Sequence, residues 1–534
     1  MGHESVTLAL CAFVDFDSVQ GENCLHNLRS AKEIQMKKDE SRKSKLSRRD
    51  VLRAMGVGAV TTLTPALTRA AENSTDSRKT EVVVVGAGFA GLTAARELVR
   101  SGRKVVVLEA RDRVGGRVKA GKLAGHAVDV GGMWVGPTQT RVLEMIKEYG
   151  LHTRPQFEQG KDISELNGRR VMAEGEETGM DAETQAEYDR VVKELDRLCA
   201  TVPPDQPWNT PDAEALDGMT LQDWLDSTTH NKIVRAFLEA SMRADFVAEP
   251  YQISFLYCLF YLRSGDNFEM LNGYKGAAQA FLVNETMHEV AMRMATEIKA
   301  NIVLENPVRA ISQDGNGVTV SSDKGTWRAN YAIVAVPLPL SVRIAYDPPL
   351  SPERDALAQH MPMGSVIKYL VAYEKPFWRD QGLNGMTWSD LPPSAAICDV
   401  SPADGKPGIL VGFFEAHNAL RWTGKPREER KKVVIERLVE FFGSDAAHPI
   451  DYEDQDWPAE VWSRGCYGAS MPPGIMTTIG RVIRQPHGRI HWAGTETAAR
   501  WMGYVDGAIR SGDRAASDVL AAYQKSKSVS LSQS

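Results

Sequence analysis

The apolar positions along the chain change period several times, and each change marks an element. Val82–Val85 is an unbroken apolar run, the pattern of a parallel strand covered on both faces. Over Leu92–Arg100 the spacing predicts a helix, with Ala94, Ala95 and Leu98 on the sheet side and Gly102 as its stop. A second strand is expected at Val105–Leu108, ending on Glu109. Gly175–Leu198 is rich in both acid and base and predicts a solvated helix, and Pro203–Pro211 a loop. Leu221–Leu262 carries aromatic and leucine stripes and reads as two or three helices. Val318–Ser321 and Tyr331–Ala335 read as strands, after which Pro337-Leu338-Pro339 breaks the pattern.

Between the first strand and its helix lies Gly86-Ala87-Gly88-Phe89-Ala90-Gly91, with G-x-G-x-x-G spacing. Gly86 allows a tight turn out of the strand, Gly88 a close approach of backbone to a pyrophosphate, and Gly91 close packing of helix on sheet. The helix amides and dipole then face the phosphates. Glu109 follows Gly86 by 23 residues, where an acid can accept ribose hydroxyls. Glycine turns are common, so the hexapeptide alone would say little; strand, glycines, helix, strand and acid in order specify a dinucleotide site. Gly116–Lys122 matches most of a P-loop, but Leu123 stands where Ser or Thr would meet magnesium, so that reading is dismissed.

Composition narrows the class. A chain of 534 residues suggests two or three domains with ample core, and 43% hydrophobic with 25% charged residues fits a soluble globular protein. The net charge of −6 argues against a nucleic-acid surface. No run approaches the roughly 18 apolar residues of a membrane helix. Cysteines at 11, 24, 199, 258, 398 and 466 form no C-x-x-C, so neither a disulfide framework nor a metal site is expected. Neither G-x-S-x-G nor H-E-x-x-H occurs.

Glu109-Ala110-Arg111-Asp112-Arg113-Val114-Gly115-Gly116-Arg117 resembles the flavin-dependent amine oxidases, whose second strand ends in E-A-R-x-R-x-G-G-R. The resemblance implies FAD, with Gly86, Gly88, Ala90, Gly91, Glu109, Arg111, Gly116 and Arg117 toward its adenosine and phosphates. It continues in Asp129–Gln139, which implies Gly131, Gly132 and Met133 along the isoalloxazine and Trp134 in the family's aromatic position. Ile302–Arg309 resembles a strand of the family in which the backbone of one valine, here Val308, contacts adenine, and Trp457 falls on a tryptophan beside the flavin. Arg489–Thr497 and Trp501–Ala508 resemble the final flavin strand and helix, with Gly494, Thr495, Glu496 and Gly503 along the cofactor. Val505 would open the last helix near the pyrimidine, where its dipole favours the reduced anion.

Met363–Lys368 with Pro376–Arg379 resembles the monoamine oxidase branch. Lys368 falls on the lysine that reaches the flavin through a water, a cation suited to stabilising superoxide. Ser463-Arg464-Gly465-Cys466-Tyr467 followed by Pro472-Pro473-Gly474 matches the branch's covalent flavin segment, so Cys466 is implied as the tether and Cys466–Tyr467 as a cis peptide. On its own, Cys466 also reads as a buried free thiol. Tyr467 and Tyr504 fall on the two tyrosines of the aromatic cage, which leave a slot for an amine.

The implied fold is α/β: a Rossmann-like FAD-binding domain plus a substrate domain of mixed sheet and helices. The FAD-binding parts are assigned to 72–155, 270–340 and 456–522, the substrate domain to 156–269 and 341–455, and 523–534 to a polar tail that departs from the mitochondrial relatives' membrane anchor. The implied activity is FAD-dependent amine oxidation to an imine that hydrolyses to aldehyde or ketone, with electrons passing to O2 or to a carrier. An L-amino-acid oxidase is the alternative, although no arginine for a substrate carboxylate can be assigned; a non-catalytic FAD-binding protein is the alternative of another class. Residues 1–35 are expected to be a non-native or disordered extension, with Met36 as the start. Within 36–71, Ser47-Arg48-Arg49-Asp50-Val51-Leu52-Arg53 resembles the twin-arginine export motif, followed by the mildly apolar Ala54–Leu67 and Ala70-Ala71. This implies the twin-arginine machinery as a partner and a bacterial periplasmic location; a basic surface helix is the structural alternative. A homodimer is the candidate assembly.

Overall fold

The computed structural model describes residues 78–174 and 179–532. At its centre is a parallel sheet of five strands in the order Ile302–Val303, Val105–Leu108, Val82–Val85, Tyr331–Val334, Ile490–Trp492. Val82–Val85 is the middle strand and is buried at every residue, which is why its sequence shows no alternation. Val82 and Val84 pack toward Leu92, Ala94 and Leu98 of the helix Phe89–Arg100 and toward Ile509 of the helix Val505–Ser532. Val83 and Val85 pack toward Ile311, Val320 and Trp327 of a second five-stranded sheet. Each valine gains roughly 1.5–3 kcal/mol on leaving water. The two helices cross so closely that a Cβ at Gly512 would lie 2.4 Å from the Ala90 carbonyl oxygen.

The two opening strands have the expected bounds, but the helix starts at Phe89 rather than Leu92 because extended Gly88 (φ −73°, ψ 175°) already turns the chain. Ile302–Arg309 is not one strand. Ile302–Val303 stays in the parallel sheet, while Val308–Asp314 joins the second sheet. Glu305 at φ +50° and Pro307 make the bend between them, where Glu305-Asn306-Pro307 interrupts the apolar residues. Gly317–Ser322 and Tyr331–Val334 lie within a residue of expectation. The expected solvated helix is Ala182–Cys199, and it is amphipathic: Val191, Val192, Leu195 and Cys199 are buried in a helical core. That core also holds Leu221–Thr228, Lys232–Phe246 and Phe255–Ser264.

A seven-stranded mixed sheet forms the other wall, with Val366–Tyr373 and Gly408–Glu415 antiparallel neighbours, second and third from one edge. Both strands are buried throughout. Ile367, Tyr369 and Val371 share a core with Val434, Leu438 and Phe442 of the helix Arg427–Phe442. Val366, Leu370, Val411 and Phe413 share one with Met133, Trp457 and Cys466. The period of two therefore sends Lys368, and Glu415 with Phe413, to the face toward Cys466. The segment expected as a polar tail continues the last helix to Ser532. Among the described residues no helix is long and apolar enough to cross a membrane. The expected extension and export signal lie outside the described residues.

Candidate active site

A cavity of about 450 Å³ runs from the first glycine turn to the inner face of the seven-stranded sheet. Gly86, Gly88, Ala90, Glu109, Arg111, Gly116, Arg117 and Val308 line one part of it. Glu109 stitches this part together: its carboxylate accepts the Ala87 N–H at 2.7 Å and the Arg111 N–H at 2.9 Å, fastening the glycine turn to the second strand. Gly91 does not line the cavity. A Cβ there would lie 1.9 Å from the Gly86 carbonyl oxygen, so this glycine serves the turn and not the ligand. Gly88 is the opposite case, since its φ suits any residue and a Cβ would meet only Gly116 Cα, at 3.8 Å. A side chain at 88 is excluded neither by conformation nor by packing, and glycine there leaves cavity space open. Arg111 donates to Ser463 Oγ at 2.7 Å, while its buried Nε has no hydrogen-bond partner.

Gly131, Gly132, Met133, Trp134, Trp457, Cys466, Gly494, Gly503 and Val505 line the next part. A Cβ at Gly131 would lie 2.3 Å from the Arg117 carbonyl oxygen, so backbone packing already requires glycine there. Glu496 stands behind the cavity wall. It accepts from Arg117 Nη1 at 2.5 Å, and Arg117 also donates to the Tyr467 carbonyl at 2.7 Å. Burial works against the Arg117 charge, but Glu496 outweighs it and raises the guanidinium further. The Cys466–Tyr467 peptide is cis, as expected. Burial pushes the Cys466 thiol up to about 12 against the pull of Arg117 and Lys368. Trp457 is pinned by its Nε1–H, donated to the Val130 carbonyl at 3.2 Å.

Lys368 lies in this middle part, 3% exposed, and donates to the Gly131 carbonyl at 2.8 Å. Its Nζ is 5.5 Å from the centre of the Trp134 ring and 5.9 Å from that of Phe413. Burial lowers the ammonium well below the usual lysine range, and Asp129 opposes that. Asp129 is itself raised by burial, offset by the N–H groups of Met287 and His288 that it accepts at 2.7 and 3.2 Å.

Tyr467 and Tyr504 line the same cavity, 37 residues apart in sequence and packed from behind by different partners. Tyr467 meets Phe413 edge-on with ring centroids 6.2 Å apart. Tyr504 stacks on Tyr261 at 6.4 Å and meets Trp501 edge-on at 5.0 Å. Both phenols are held neutral: burial raises them, reinforced by Glu415 at Tyr467 and by Asp245 at Tyr504.

Residues 89–520 match the sequence profile described as flavin containing amine oxidoreductase. The chain belongs to that family. It is 36% identical over 451 residues to the flavin-containing amine oxidase of Oncorhynchus mykiss, covering 82% of this chain and 85% of the relative. It is 34% identical over 466 residues to an L-amino acid dehydrogenase of Synechocystis, covering 83% and 95%. Among solved structures, putrescine oxidase bound to putrescine superposes with a TM-score of 0.81 at 32% identity, covering 84% of this chain and all of that one. As a member, the protein is an FAD-dependent amine oxidase. The open cradle at Gly88 and the Arg111 guanidinium, whose Nε makes no hydrogen bond, suit the phosphates of that cofactor, which Gly86–Gly88, Arg111 and the backbone at Gly116 would hold.

Except for Gly91 and Glu496, every residue expected at the site reaches the cavity. The motifs pass over several others that line it: Asp245, Tyr261, Tyr274, Arg343, Phe413 and Glu415. One carried a signal. Glu415 is an acid closing the otherwise apolar run Gly408-Ile409-Leu410-Val411-Gly412-Phe413-Phe414, where a strand buried on both faces has no use for a charge.

Proposed function

We propose that an amine enters the slot between Tyr467 and Tyr504, with Lys368 poised beside the cofactor. The observation that carries this reading is the convergence of these three side chains, from separate stretches of chain, on one cavity. FAD, when bound, supplies the two-electron acceptor. The tyrosine faces orient the substrate nitrogen and exclude water from it. The nitrogen must be uncharged when the neighbouring C–H bond gives up its electron pair, and the neutral phenols do not oppose that. The imine product takes up water and yields aldehyde or ketone. Lys368 offers a cation close to where oxygen is reduced, which supports peroxide as the second product. At the tyrosine end of the cavity Asp245 and Glu415 are the acidic lining residues. Neither can pair with a substrate carboxylate as an arginine would, which argues against a free amino acid. A panel of primary, secondary and aromatic amines and free amino acids, read by anaerobic flavin bleaching and by peroxide release, tests the reading. Bleaching by amino acids and by no amine would sink it.

Cys466 is proposed to carry the flavin covalently, supported by its place on the cavity wall within electrostatic reach of Arg117 and Lys368. Acid precipitation should leave a yellow pellet, and Cys466→Ser should release the colour to the supernatant. A colourless wild-type pellet refutes the bond. Export by the twin-arginine route to the periplasm is proposed from Arg48 and Arg49 and the segment after them. Mass spectrometry of the exported protein should find an N-terminus near Ala70 or Ala71; one upstream of Met36 contradicts it. A homodimer is proposed as the assembly, to be checked by sedimentation.

A further inference from the structure

Met133 puts an oxidisable sulfur beside the lysine assigned to the oxygen step. It follows Gly131 and Gly132 and leads into the short strand Trp134–Val135. Packing fixes that turn, because Gly131 has no room for a side chain beside the Arg117 carbonyl. Met133 shares a core with Val366, Phe413, Trp457 and Cys466, and it lines the cavity. Lys368 Nζ donates to its sulfur at 2.8 Å and to the Gly131 carbonyl at the same distance. Met133 is the one methionine among the described residues that line this cavity. It is 6% exposed, whereas Met172 is 59% and Met292 42% exposed. Thioethers are common targets of oxidation, and an oxidant reaches them according to their access. An oxidant in bulk solvent therefore meets Met172 and Met292 first, while one formed inside the cavity meets Met133 first.

We propose that hydrogen peroxide released in turnover oxidises Met133 to its sulfoxide, and that this modification slows the enzyme's own reaction with oxygen. The inference rests on the amine-oxidase reading with oxygen as acceptor, and goes past it to what the product does to the site. A lone pair on the Met133 sulfur attacks one peroxide oxygen, and the O–O bond breaks. The departing oxygen takes the proton left on the attacking oxygen and leaves as water. Sulfur is oxidised by two electrons and peroxide is reduced by two. The Lys368 N–H that meets the sulfur is placed to hydrogen-bond the departing oxygen as negative charge gathers on it. The consequence falls on the same lysine. A thioether is a weak acceptor, whereas the sulfoxide is polar and its oxygen accepts strongly. Lys368 would then be held between that oxygen and the Gly131 carbonyl, and withdrawn from the oxygen molecule being reduced.

The test takes the flavin-loaded wild type through many turnovers in air with an amine that bleaches its flavin, with catalase in the bulk solution. A parallel sample receives hydrogen peroxide and no amine. Peptide mass spectrometry then reads the gain of one oxygen at Met133, Met172 and Met292. Turnover should oxidise Met133 first, and added peroxide should oxidise Met172 and Met292 first. Stopped-flow mixing with oxygen should find flavin reoxidation about tenfold slower in the turned-over protein than in fresh protein. Met133→Leu, compared with its own starting rate, should show no such decline; if it fails to load flavin, the wild-type peptide map and reoxidation rates carry the test. Peroxide release with Met133 left intact, or oxidised no sooner than Met172 and Met292, would overturn the proposal and leave the amine-oxidase reading standing. So would an oxidised Met133 with an unchanged reoxidation rate. Bleaching without peroxide release would end the inference and the oxygen step together; bleaching by no amine would end the whole reading.

Discussion

The two ends of the cavity are built by different means. The dinucleotide end is mostly backbone: the glycine turn at Gly86–Gly88, the amides that follow, and Glu109 locking the turn to its neighbour strand. Nearly all of it comes from Val82–Arg117, one local unit of strand, helix and strand. The tyrosine end is side chains: Asp245 from a helix, Lys368 and Glu415 from two strands of the large sheet, Tyr467 and Tyr504 from late loops. The charged side chains differ as well, with Glu109, Arg111 and Arg117 at the dinucleotide end and Lys368, Asp245 and Glu415 at the other. One end is a fixed receptor for an anion that every member must bind. The other is a wall of independent positions, each free to change the substrate without disturbing the cofactor.

The comparison can be broken most sharply at the glycines. Gly91→Ala should abolish folded, flavin-loaded protein, since its Cβ would lie 1.9 Å from the Gly86 carbonyl oxygen; soluble yield and the visible flavin band check this. Gly88→Ala should fold with nearly unchanged melting temperature yet lose FAD affinity by about 100-fold, because only the ligand's space is taken. If both variants behave alike, the division between turn-making and ligand-clearing glycines fails. In the other half, Lys368→Met should slow flavin reoxidation by oxygen about 100-fold while leaving the protein yellow, as stopped-flow mixing with oxygen would show.

A smaller effect separates the ends by pH. The Glu415 carboxyl is raised to about 8 in the fold from an ordinary 4.5, so between those values the folded protein holds a proton the unfolded chain has released. Stability contributed by that protonated form is present at low pH and declines as pH climbs from about 4.5 toward 8. Glu415→Gln should therefore stabilise the protein at pH 8 by on the order of 2 kcal/mol and hardly at all at pH 5. Thermal melts of cofactor-free protein at the two pH values measure it, and an equal gain at both would contradict the buried, unpaired acid.

How much was legible follows the same division. The strands Val82–Val85 and Val105–Leu108 have the expected bounds because burial on both faces leaves a plain apolar signature. Cys466, Tyr467 and Tyr504 were found because their neighbours spell family motifs, and the cavity does gather them. Ile302–Arg309 was misjudged as one strand although Glu305-Asn306-Pro307 breaks its apolar run at the bend, a local signal that the family resemblance overrode. Gly175–Leu198 looked solvated because Val191, Val192 and Leu195 are few against its charges, yet they lie on one helical face. Asp245 had no local signal: an acid near a helix end is unremarkable until the opposite wall is known.

What the chain's own order of residues determined is the dinucleotide unit and the family's chemistry, because a local turn needs particular glycines at particular spacings and nothing else will do. What only the tertiary structure decided is which acids share a cavity with the tyrosines. Glu415 and Asp245 are 170 residues apart, and the single hydrogen bond that each carboxyl accepts, from Ala395 and from Asn272, is a property of the packed interior, where each neighbour is supplied by a different element. Composition can count charges, but only the fold shows which of them have been left without an answer.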